Sequence, residues 1–75
     1  MNTFEELKAI ITEVLQAKEV SLETNLRDDL GADSIDLTEI IMGVEEKFEI
    51  EIETEAIIDV KTVQDVVNYI DDKLK

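Results

Sequence analysis

The stretch Leu30-Gly31-Ala32-Asp33-Ser34-Ile35-Asp36-Leu37-Thr38-Glu39-Ile40-Ile41-Met42-Gly43-Val44-Glu45-Glu46-Lys47-Phe48 decides how this chain folds. Gly31 supplies a turn, and Asp33 followed by Asp36 makes an acidic cap. Leu37, Ile40, Ile41, Val44 and Phe48 then recur at helical spacing, which predicts a helix over residues 34–48 with one core-facing stripe. At 100° per position, Ile35 and Met42 fall within about 20° of each other and away from that stripe. Thr38, Glu39, Glu45 and Glu46 surround them. The helix thus has a second, narrow apolar strip edged by carboxylates. Scattered apolar residues on a surface are ordinary. An apolar centre with an acidic rim, however, complements a basic groove on a partner. Between Asp28 and Asp59 stand twelve acidic residues, opposed by Lys47 alone, and this asymmetry favours docking.

Upstream, Thr3 and Glu6 have the spacing of a capping box. Phe4, Leu7, Ile11, Val14 and Leu15, with Ile10 beside them, share one face and predict a helix over residues 4–17. Residues 18–33 are rich in turn formers. There Val20, Leu22, Leu26 and Leu30 read as anchors pinning a long loop to the core, and loops of this length are often functional. Downstream, Phe48, Ile50 and Ile52 alternate with glutamates as a strand would. No other segment alternates so, and a lone strand leaves its backbone unpaired, so an extended connection is expected. Thr54 caps a short helical turn through Ala56, Ile57 and Ile58. Thr62 with Asp65 caps a closing helix over residues 63–74, lined by Val63, Val66, Val67, Ile70 and Leu74. The expected architecture is all-α: a small four-helix bundle of three longer helices and one short, with a long loop between the first two.

Composition narrows the function. Seventy-five residues make room for one small domain, read as residues 1–75. No apolar run reaches the length of a membrane span, and the start lacks the regions of a signal peptide. The chain holds 20 Asp and Glu against 7 Lys and Arg, a net charge of −13, which argues against nucleic acid and anionic membrane as partners. With no His and no Cys there is no thiolate zinc site, no disulfide framework and no imidazole base. Apolar residues still make up 44% of the chain, enough for a core.

Ser34 stands at the start of the second helix. Serine there is usually a cap or first-turn residue. A catalytic serine needs a base within reach, and the local Gly-Ala-Asp-Ser string is no nucleophile elbow, so no enzymatic activity is expected. A calcium loop read from Asp28 to Glu39 puts Leu30 and Ala32 at ligand positions and Asp33 where glycine belongs, so no dedicated metal site is expected. The remaining role is a serine modified by another enzyme. Amides at a helix N-terminus favour a phosphate ester, the nearby carboxylates oppose it, and the acidic rim offers a basic transferase a grip.

Leu30-Gly31-Ala32-Asp33-Ser34-Ile35-Asp36 resembles the attachment motif of acyl carrier proteins, with the pattern D-S-[LI]-D at its centre. Glu45-Glu46-Lys47-Phe48, Ile52, Thr62-Val63-Gln64-Asp65 and Asn68-Tyr69-Ile70 resemble the same family in the same order, so the likeness runs through essentially the whole chain. It implies that Ser34 receives 4′-phosphopantetheine from coenzyme A, delivered by a phosphopantetheinyl transferase, and that the arm's thiol holds acyl chains as thioesters. It further implies a partner face of Asp33, Ile35, Asp36, Glu39, Met42, Glu45 and Glu46 for the basic surfaces of fatty-acid or polyketide synthesis enzymes. Thr38, Glu53 and Leu26 replace a frequent Val, Pro and Phe, and the loop is a few residues short. These departures leave open a specialised carrier beside the fatty-acid one. A non-carrier acidic adaptor is the competing class. The expectation is a cytoplasmic monomer without membrane insertion.

Overall fold

The computed structural model describes residues 2–53, 55 and 60–75. Among the described residues three helices run in order: α1, Thr3–Leu15; α2, Ser34–Phe48; and α3, Val63–Leu74. Among the described residues there is no strand, and no helix is long and apolar enough to cross a membrane. The short turn read at Thr54, Ala56, Ile57 and Ile58 lies outside the described residues. Helix α1 packs against both α2 and α3. The core combines Leu7 and Ile11 of α1, Leu37, Ile40 and Val44 of α2, and Val63, Val66, Val67 and Ile70 of α3. Burying these aliphatic stripes, at roughly 25 cal/mol per Å² of apolar surface, is what holds the bundle together.

The boundaries of α2 and α3 fall where their caps place them. Asp33 and Asp36 form a reciprocal capping box, as do Thr62 and Asp65. Helix α1 departs from expectation at both ends. Its cap is Asn2, whose side chain accepts from the Phe4 and Glu5 amides. Thr3 instead donates its hydroxyl to Asp71 Oδ1 at 2.7 Å, tying α1 to the end of α3. The helix ends at Leu15, two residues early, because Gln16 takes the left-handed conformation. Leu74, counted with the core, is 50% exposed, as is fitting for the last turn of a terminal helix.

The long loop, residues 16–33, is more organised than a pinned coil. Val20, Leu26 and Ala32 are buried and Leu30 is half-buried, while Leu22, expected as an anchor, is 36% exposed. Backbone pairing, rather than the Leu22 side chain, is the tether. Leu26 N–H donates to Lys61 O, Val63 N–H to Thr24 O, and Gln64 N–H to Leu22 O, at 2.9, 3.0 and 2.9 Å, with Asn25 bridged antiparallel to Thr62. Asn25 Oδ1 accepts from the Arg27 and Asp28 amides, while Asn25 N–H donates to Asp29 Oδ2. The Ala32 amide returns to Leu26 O at 2.9 Å. Between them, Gly31 adopts φ +70°, the left-handed region that suits a residue without Cβ. The loop is thereby hooked onto the start of α3 and delivered into the cap of α2.

Asp65 anchors that pairing site. Its Oδ2 accepts from the Lys61 and Thr62 amides at 3.0 and 3.1 Å, and its own N–H donates to Thr62 Oγ1. The Lys61 amide and then the Thr62 amide hold its carboxyl below the ordinary value. The unfolded state therefore binds the proton more readily, and the stabilisation is complete above the ordinary carboxylate pKa of about 3.9 and lost as pH falls through the folded value. Asp65→Ala is expected to be less stable than the parent at neutral pH, with the difference shrinking in acid. Paired denaturant titrations across this range isolate it from the global repulsion, which acid relieves in both proteins.

The Ser34 turn and the exposed face of α2

Ser34 is the first residue of α2, and it is not the cap. Asp33 takes that role: its Oδ1 accepts from the Asp36 amide at 2.9 Å, while Asp36 Oδ2 accepts from the Asp33 amide at 3.3 Å. The Ser34 side chain is exposed, and among the described residues its hydroxyl enters none of the hydrogen bonds that organise the turn. Its carbonyl accepts from Thr38 Oγ1 at 2.8 Å, which turns the Thr38 hydroxyl back onto the helix backbone. The ordinary duty of a serine at a helix start is thus discharged by Asp33. What remains is a free primary hydroxyl at the positive end of a helix, where an added phosphodiester gains from the amide dipoles and meets no covering side chain. The residues present fit 4′-phosphopantetheine in this respect.

The second strip on α2 is real. Ile35 is 70% exposed and Met42 61%, with Glu39 and Glu46 exposed at their side. At 100° per residue Ile35, Glu39, Met42 and Glu46 form one line along the helix. Lys47, the only cation of the acidic stretch, turns away to pair with Glu6 of α1, Nζ to Oε2 at 3.2 Å. Glu45 sits at the other edge and has a task of its own. Its Oε2 accepts from the Ile52 amide at 2.9 Å, and its carbonyl from the Ile50 amide at 3.3 Å. These bonds fold the extended connection after α2 back so that Ile50 and Ile52 pack on the core. Asp33 and Asp36 likewise engage one carboxylate oxygen each in the cap. The structure therefore gathers Ile35, Glu39, Met42 and Glu46 as an unencumbered surface, with Asp33 and Asp36 at its top and Glu45 at its margin.

A capped helix opening on an unengaged serine, beneath a pinned loop and beside an acidic apolar strip, is the form of a carrier domain that is modified by other enzymes. The family described as phosphopantetheine attachment site matches residues 5–70, and the chain belongs to this acyl carrier protein family. The acyl carrier proteins of Helicobacter hepaticus and Campylobacter jejuni are 49% and 47% identical to it, over 95% of this chain and 96% of the first, and over 100% of both for the second. Among solved structures, the acyl carrier protein of Thermotoga maritima superposes with a TM-score of 0.73 at 28% identity, covering 92% of this chain and 91% of that one. The holo acyl carrier protein of Geobacter metallireducens gives 0.82 at 25%, covering 99% and 87%. The cofactor of the family is 4′-phosphopantetheine, and its members carry rather than catalyse.

Proposed function

We propose that Ser34 is the attachment point of 4′-phosphopantetheine and that residues 1–75 act as one carrier domain of fatty-acid synthesis. The observation that carries this reading is the division of labour at the turn: Asp33 caps the helix, so the Ser34 hydroxyl has no structural duty. When bound, the group supplies a terminal thiol on which acyl chains are held as thioesters. The chain's own residues position and dock. Gly31 and Ala32 set the entry to the helix, and α2 fixes Ser34 beside the strip. Ile35 and Met42 offer apolar contact, and Asp33, Asp36, Glu39 and Glu46 steer the basic surfaces of the transferase and the synthesis enzymes, with Glu45 contributing from the margin. This reading takes the architecture as a small four-helix bundle and the protein as a cytoplasmic monomer.

Co-expression with a phosphopantetheinyl transferase is expected to add one arm, located at Ser34 by peptide mass spectrometry; an arm on another residue refutes the assignment. Glu39→Lys with Glu46→Lys is expected to slow modification by about tenfold at low salt, with parental rates falling as salt rises. Parental transfer that is indifferent to salt would refute the steering role.

A further inference from the structure

Between α1 and α2 lies an open groove of about 520 Å³, lined by Ile10, Glu13 and Val14 on one side and Glu39, Gly43 and Glu46 on the other. Gly43 makes it: a Cβ there would stand 3.0 Å from Ile10 Cγ2, so the two helices close tightly over an aliphatic floor. Glu13, Glu39 and Glu46 form the rim, and among the described residues none of them joins an ion pair. The one lysine at the groove, Lys47, is held by Glu6. Among the described residues, no group of three or more acidic side chains converges as a metal site would require. An apolar floor under separated carboxylates matches one kind of guest, a long aliphatic stem ending in a cation.

We infer that this groove receives a lysine or arginine side chain of a partner protein, its methylenes on Ile10 and Val14 and its charged end among Glu13, Glu39 and Glu46. The inference rests on the carrier reading above and extends it: the docking surface crosses from α2 onto α1 and includes Glu13. Glu39 and Glu46 serve both parts, lying between the Ile35–Met42 strip and the groove. A basic partner that spans the two is held in one orientation, because strip and groove differ in shape and in charge spacing.

The test uses the apo chain, 15N-labelled, with a purified phosphopantetheinyl transferase. On titration, the amides of Ile10, Val14 and Gly43 are expected to shift together with those of the strip. Glu13→Gln is expected to raise KM about threefold with kcat unchanged, as for loss of one exposed charge pair. Glu23→Gln makes the same change of net charge in the loop beside α3 and is expected to leave both constants alone. Groove amides that stay still on titration, or equal effects of Glu13→Gln and Glu23→Gln, overturn the inference. A chain that takes no arm at Ser34 overturns the carrier reading instead, and the shift titration still judges the groove, because it reads binding and not transfer.

Discussion

Ser34→Ala is expected to abolish loading outright while leaving the fold and its stability intact. The substitution removes the one nucleophilic oxygen at the turn that no internal hydrogen bond uses, and it leaves both halves of the Asp33–Asp36 capping box in place. Alanine is also the best residue for a helical position. Denaturation midpoints should therefore match within about 0.5 kcal/mol, the usual range for surface substitutions. Intact-mass spectra after exposure to coenzyme A and transferase should show no arm at all. Partial loading of this variant would mean that a second hydroxyl serves. A large loss of stability would mean that Ser34 has a structural duty which the observed hydrogen bonds do not assign to it.

Leu26→Ala is expected to produce the largest loss of stability in the loop. Leu26 is 1% exposed, donates to Lys61 O and accepts from the Ala32 amide. Truncating a buried leucine costs about 2–5 kcal/mol. A chain of this length has only about 4–11 kcal/mol in total, reduced further by the self-repulsion of a −13 charge. The variant should melt at least about 10 °C lower. Hydrogen exchange at Gly31 and Ala32 should rise before that of the α3 core, because the loop loses its wedge while Val63 and Val66 remain packed. A loss below about 1 kcal/mol would show that the backbone pairing alone holds the loop, against the packing role assigned to this side chain.

The acidic composition has a narrower meaning in the structure than in the sequence. As a total, −13, it argues against polyanionic partners. In place, it is a rim: exposed at Glu39 and Glu46, engaged in the cap at Asp33 and Asp36, and hydrogen-bonded at Glu45. Of these rim residues, Glu39 and Glu46, like Glu13 across the groove, are the ones whose carboxylates enter no hydrogen bond or ion pair among the described residues.

Features governed by neighbours in sequence were legible in it. The capping boxes at Asp33 and Thr62, the extents of α2 and α3, and the exposed Ile35–Met42 strip follow from local hydrogen bonds and a 3.6-residue period. Neither depends on where the rest of the chain lies. The Ser34 motif was legible for the same reason, being contiguous. Other features needed distant partners. Asn2 and Thr3 are both good caps, and the choice fell to Asn2 in a structure where the Thr3 hydroxyl meets Asp71, 68 residues away. Leu22 looked like an anchor, yet the loop is tethered through its backbone to residues 61–64, and backbone pairing leaves no side-chain pattern to read. Glu45 looked like its acidic neighbours until the Ile52 amide came within 2.9 Å. Glu13 carried no signal at all: its role as a groove wall exists only because Gly43 lets α1 approach α2. Local rules place each helix and its caps, while contacts between segments far apart in the chain settle which of its polar groups are free to serve a partner.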